Sequence, residues 1–167
     1  MTPIGHLTAS YITGKSFKKL SLAALIAGGI LPDIDFLFLF FDWFNQIHRV
    51  VTHNIAFVLL ASLLAAVLAA KGKKQVIGFS LLCGGMLHLM IDSFMDNNPT
   101  NGIGIAALWP VSDNFFSPFN LFHASLNTPG WKKPLAMIRT LIPGLLYEVP
   151  FYIMAIFLLL RQKRKNC

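Results

Sequence analysis

Three long apolar runs, 53–70, 75–95 and 141–160, constrain this chain more than any other feature of it. At a rise of about 1.5 Å per residue, runs of this length make helices of about 27–32 Å, close to the thickness of a bilayer core. Basic residues mark their ends: Lys71, Lys73 and Lys74 separate the first two runs, and Arg161, Lys163, Arg164 and Lys165 close the third. Only 13% of the 167 residues are charged and 55% are hydrophobic, against about 25% charged in an ordinary soluble domain. That balance excludes a disordered chain, a coiled coil and a soluble nucleic-acid binder, even though the net charge is +7. The expectation is an all-α polytopic membrane bundle of three to four spans, forming a single domain over residues 1–167.

The first third is less regular. Residues 3–13 read as a short helix and 14–19 as its turn, with Lys15, Lys18 and Lys19 there. Pro32 disfavours helix at Leu31, and two carboxylates are costly in a lipid-facing helix. Residues 20–31 and 35–44 are therefore expected as two helical pieces joined by a polar elbow, the first forming an N-terminal hairpin with 3–13. The apolar stretch after Lys18-Lys19 superficially resembles a secretory signal. Cleavage near Gly29 would discard His6, so the N-terminus is expected to be retained. Pro143 and Pro150 are expected to break the last run. Residues 96–134, rich in Gly, Pro, Asn and aromatics, read as an ordered interfacial loop whose Trp109 and Trp131 suit the headgroup layer. Placing the three basic clusters in the cytoplasm puts 10 of the 14 Lys and Arg inside, leaving Arg49, Lys132, Lys133 and Arg139 outside. Cys83 and Cys167 have no motif spacing.

With that topology, Asp33, Asp35, His48, His53, His88 and Asp92 gather at the non-cytoplasmic end, and the hairpin brings His6 towards them. His88 and Asp92 are four apart, on one face of a helix. Imidazole nitrogens and carboxylate oxygens ligate zinc and also suit manganese or iron. The alternative at this pair is a plain hydrogen bond between buried helices. Asp33 and Asp35 point the same way if the elbow is extended, and two close carboxylates resist ionising unless a cation lies between them. The alternative there is helix capping after Pro32. His48 and His53 lie about 140° apart on a continuous helix, so they converge only at a loop-to-helix junction. Arg49 between them suits a phosphate oxyanion; an interfacial loop facing headgroups is the plainer reading. His123, Asp42, Asp96 and Asp113 read as solvated or capping. Glu148, inside the last run, needs a partner, Arg139 or a backbone group.

The strings LPDIDF (31–36), HRVVTHN (48–54) and HLMIDSFMDNNPTNGIGIAALWP (88–110) resemble the YdjM-like family. These are small bacterial inner-membrane proteins described as metal-dependent hydrolases, some under LexA (SOS) control. The resemblance covers residues 1–112, through His6, Asp33, Asp35, His48 to His53, His88, Asp92 and Leu108-Trp109-Pro110. More distantly, the order His6, Asp33 or Asp35, His53 or His48, His88, Asp92 is similar to that of the zinc-dependent phospholipase C and single-strand nuclease superfamily. Two departures stand out: Met1 replaces the tryptophan whose amine is a ligand there, and Asn98 stands where a further histidine is expected.

The expected function is a membrane-embedded hydrolase holding one or two divalent ions, zinc first and manganese or iron as alternatives, through His6, Asp33, Asp35, His48, His53, His88 and Asp92. Metal-activated water would cleave a phosphoester of a lipid or other amphiphile. Asp35 or Asp92 would take the proton, and Arg49 would stabilise the oxyanion. The partners are the bilayer and that substrate, with no nucleic acid. Transport of protons or metal through the same His/Asp cluster is the competing class, although no internal repeat of the transporter kind is visible.

Overall fold

In the computed structural model, residues 1–38, 41, 43–44, 48–95, 104–118 and 134–166 are described, the side chains of 134–141, 143 and 165–166 excepted. Outside them lie Asp42, Asp96, His123, Trp131, Lys132, Lys133 and the side chain of Arg139, together with most of the expected interfacial loop.

Each of the first three helices starts at a side-chain cap. Thr2 accepts from the Gly5 N–H and Pro3 opens α1, Pro3–Ser16, where its missing N–H costs nothing. Ser21 caps α2, Leu22–Ile30, and Asn54 caps α3, Ile55–Leu68. Two longer helices complete the set, α4 over Lys74–Phe94 and α5 over Pro134–Asn166. Among the described residues the only extended pairing is one antiparallel bridge, Ile105 with Phe116.

Three boundaries differ from the sequence expectation. The elbow is a 3₁₀ helix, Leu31–Phe38: Pro32 has no N–H for the next α-type bond, and the chain tightens into shorter turns. The run 53–70 yields a helix of 14 residues, about 21 Å long and short of a full span. Pro143 and Pro150 do not break α5, which runs continuously through both; membrane helices tolerate proline where other groups satisfy the freed carbonyl. Two helical stretches, Lys74–Phe94 and Gly144–Arg164, are thus long and apolar enough to cross a membrane, rather than three or four. The apolar side chains of the second, among them Leu146, Ile153, Phe157 and Leu160, are exposed, as lipid contact requires.

α4 is the hub, packed on α2 and on α3, while α1 packs on α2 and α5. The α2–α4 contact is glycine on both sides. A Cβ on Gly28 would stand 2.1 Å from the Leu81 carbonyl oxygen, and one on Gly84 2.0 Å from that of Leu25. Without a hydrophobic drive between helices in lipid, such close backbone approach is what holds them. It also brings the last turn of α2 within reach of His88. Gly84→Ala must separate the helices, so it is expected to cost about 1–3 kcal/mol or more of stability, read as a lower midpoint of thermal unfolding in detergent.

The helices alternate direction, so their polar ends coincide. Lys15, near the end of α1, donates to Gln162 near the end of α5 at 2.6 Å, and Ser21 N–H reaches Ser80 Oγ in the second turn of α4 at 2.8 Å. The opposite end of the bundle carries the start of α1, the end of α2, the start of α3 and the end of α4. All the histidines among the described residues are there.

Candidate metal centre

Each element delivers one or two side chains to this end. α1 brings His6 on its first turn, and the 3₁₀ helix brings Asp33 and Asp35. The segment 48–54 brings His48 and His53, and the last two turns of α4 bring His88 and Asp92. His6, Asp33, Asp35, His53, His88 and Asp92 are all buried. Burying so many ionisable groups is costly unless they are paired or bind an ion.

The centre of the group is formed by four atoms. His53 Nε2 stands 3.4 Å from Asp33 Oδ1 and 3.6 Å from Asp92 Oδ2. His88 Nε2 stands 3.8 Å from Asp33 Oδ1 and 3.3 Å from Asp92 Oδ2. A tetrahedral zinc ion with bonds of about 2.0–2.1 Å has donor–donor edges of about 3.3 Å, so these separations suit one ion. Both imidazole Nε2 atoms are buried and have no hydrogen-bond partner among the described residues.

Both rings are set with Nε2 as the lone-pair atom. His88 Nδ1 is 2.8 Å from the Gly29 carbonyl oxygen, which can only accept, so Nδ1 carries the proton. The Thr52 hydroxyl donates to Asp35 Oδ2 at 3.0 Å and lies 3.0 Å from His53 Nδ1. With its single proton given to Asp35, its oxygen accepts from His53 Nδ1–H. A ligating histidine commonly has such a partner on its other nitrogen. Neither Gly29 nor Thr52 was singled out by the sequence. A Thr one residue before a His carries no spacing signal, and Gly29 acts through its carbonyl.

Asp33 and Asp35 do not point the same way, because the elbow is 3₁₀ and not extended. Asp33 faces His53 and His88, whereas Asp35 Oδ2 accepts from His48 Nδ1 at 2.9 Å and from Thr52. Burial pushes the Asp33 carboxyl above its usual range. Burial acts the same way on Asp35, but the hydrogen bonds and charge of His48, with Thr52, outweigh it and hold that group below the usual range.

His48 and His53 do meet at a loop-to-helix junction, with ring centroids 5.1 Å apart. Residues 48–54 are turns and bends, and Asn54 Nδ2 fixes them by donating to the Val50 and Val51 carbonyls, both at 2.8 Å. Arg49 lies inside this segment with φ of 69°, a left-handed conformation uncommon outside glycine, and its carbonyl accepts from Ala106 N–H at 3.2 Å.

On the other side of Asp92, the Met1 α-amino group donates to Oδ1 at 2.8 Å. His6 Nε2 is 2.9 Å from the same oxygen, off the line of a hydrogen bond. The His6 ring stacks on His88 at 3.6 Å between centroids. Three donor groups could each hold an ion: His6, His88 and Asp92; Asp33, His53 and His88; Asp35, His48 and His53. They overlap at His88 and His53, so they form one connected cluster. Asp113 is exposed and stands apart from it.

Glu148 is also buried. Its partners are the backbone N–H and hydroxyl of Thr2, at 2.6 and 2.5 Å, and the Tyr152 hydroxyl. The expected backbone partner is thus found at Thr2, the residue that caps α1.

No curated protein and no solved structure matches the chain, so the likeness to the phospholipase C and nuclease superfamily rests on the order of its His and Asp residues alone. The family model described as YdjM inner membrane protein, by contrast, matches residues 1–165. The chain therefore belongs to the YdjM inner membrane protein family.

Proposed function

We propose that this membrane protein is a metal-dependent hydrolase that cleaves a phosphoester of a lipid or other amphiphile. One observation carries the reading: the partnerless buried nitrogens of His53 and His88 face Asp33 and Asp92 at separations suited to a single ion. Such nitrogens are costly in a closed core, and a divalent ion satisfies them. Zinc suits the donor set best, with manganese or iron as alternatives.

In this reading His53, His88 and Asp92 hold the ion, three protein donors being the number found in catalytic zinc sites. A bound divalent ion supplies an acidified water and polarises the scissile group. The proton acceptor in this reading is Asp33 rather than Asp35 or Asp92. Asp35 is engaged by His48 and Thr52, and Asp92 by the Met1 amine. Among the described residues Asp33 Oδ2 is buried without a hydrogen-bond partner, and Oδ1 stands beside both imidazole nitrogens, within reach of a water held there. Asp35 and His48 then support the His53 ring rather than bind the ion, and His6 packs Asp92 and His88 in place. Arg49 binds the phosphate oxyanion. The exposed apolar side chains of Ile34, Leu37 and Phe38 on the 3₁₀ helix suit a substrate that stays in the bilayer.

Clustering at one end of the bundle, rather than along it, favours this over transport through the same groups. We place the site on the non-cytoplasmic face of a multi-pass protein, opposite the basic clusters. Treating the purified protein with a strong chelator is expected to abolish release of phosphate or headgroup from phospholipid and polyprenyl-phosphate micelles, and stoichiometric zinc to restore it. Zinc-dependent ion flux in liposomes without hydrolysis would favour transport instead.

A further inference from the structure

Glu148 lies in the apolar part of α5, where a carboxylate is expensive, and it takes no direct part in the cluster. Its two oxygens accept from three donors, the Thr2 N–H and hydroxyl and the Tyr152 hydroxyl. The same Thr2 caps α1: its hydroxyl oxygen accepts from Gly5 N–H at 3.1 Å, and its carbonyl accepts from His6 N–H at 3.0 Å. Gly5 lies directly against the carboxylate, so that a Cβ there would stand 2.7 Å from Oε2. A short path therefore runs from the membrane helix through Thr2 to the backbone of His6, whose ring stacks on His88 and touches Asp92.

We infer that Glu148 is a positioning residue: a carboxylate of the last membrane helix that seats the first turn of α1, and with it His6, against the metal centre. The inference rests on the metal-centre reading for its consequence, but the seating itself can be measured without metal. Among the described residues the carboxylate has neutral hydrogen-bond donors and no lysine or arginine partner, a costly way merely to join two helices, since apolar packing would do that in lipid. A fixed carboxylate adds direction, because it accepts from both the N–H and the hydroxyl of one residue.

The test uses the full-length protein in detergent micelles. In Glu148→Gln, which keeps the shape and loses one acceptor oxygen and the charge, amide hydrogen exchange at Gly5 and His6 is expected to rise at least about tenfold, with α4 amides unchanged. Zinc affinity, read by competition with a chromogenic chelator, is expected to fall by up to about 10–100-fold, the cost of losing the placement of His6, which packs the ligands His88 and Asp92. Adding His6→Ala to Glu148→Gln should cost little more than either alone, because both remove the same placement. Thr2→Val should mimic Glu148→Gln, and Thr2→Ser should restore wild-type values. Unchanged exchange at Gly5 and His6 overturns the inference, as does additive loss of zinc affinity. If the wild type takes up no zinc, the metal-centre reading fails and the exchange result alone decides the seating. If Glu148→Gln loses its helical signal, Tyr152→Phe and Thr2→Val decide it by the same two readouts.

Discussion

His88→Ala is expected to purify without bound metal, its zinc affinity lowered by more than about 100-fold, the upper end of what an outer partner costs. The reason is position. His88 faces Asp33 and Asp92 together, its Nδ1 is tied to Gly29, and its ring is stacked against His6. His53 already occupies the adjacent corner, and His6, stacked on the His88 ring, lies against Asp92 Oδ1 rather than the Oδ2 that faces the site. Hydrolysis should disappear with the metal, while the helical signal persists, since the close backbone approaches of Gly28 to Leu81 and of Gly84 to Leu25 do not depend on the imidazole. Metal content by elemental analysis, alongside circular dichroism, checks both halves. A His88→Ala protein that keeps one zinc per chain would show that the ion sits elsewhere.

Asp33→Asn is expected to behave in the opposite way: metal retained within about tenfold of wild-type affinity, turnover reduced by about 10²–10⁴-fold, the usual worth of a positioned general base. Asparagine keeps the size of the side chain and its acceptor oxygen but cannot take a proton. Asp33 is singled out because it stands at the Nε2 atoms of His53 and His88 with its Oδ2 buried and partnerless among the described residues. Asp35, whose Oδ1 is likewise partnerless, instead lies at the Nδ1 side of the His53 ring and is engaged by His48 and Thr52. Measuring zinc affinity and phosphate release on the same preparation separates the two roles. Loss of both together would make Asp33 a ligand and return the proton-accepting role to another group.

Much of this site was legible because ionisable residues are rare in the chain and cannot lie at random in an apolar bundle. The four-residue spacing of His88 and Asp92 fixed their common face on α4, and the alternation of runs and basic clusters brought Asp33, His53 and His6 to the same end. What escaped the sequence is what depends on backbone geometry. The 3₁₀ turn that sends Asp33 and Asp35 in different directions follows from how Pro32 ends α2. Thr52 matters only because the bend at 50–54 turns its hydroxyl between Asp35 and His53. Thr2 and Glu148 lie 146 positions apart, beyond any local pattern, although a lone acid in an apolar run did announce that a partner existed. The glycines of α2 and α4 were readable as small-residue packing but were overshadowed by the apolar residues around them. The length of α3 was overestimated because 53 and 54 belong to its cap and 69–70 to the turn that follows, none of which hydropathy distinguishes from helix.

The decisive measurement is X-ray absorption at the edge of whatever metal copurifies with the wild-type protein, together with its quantity per chain. The account predicts at least one first-row divalent ion per chain, surrounded by two imidazole nitrogens and carboxylate or water oxygens at about 2.0–2.2 Å. Substoichiometric metal, or a shell without imidazole, would contradict it.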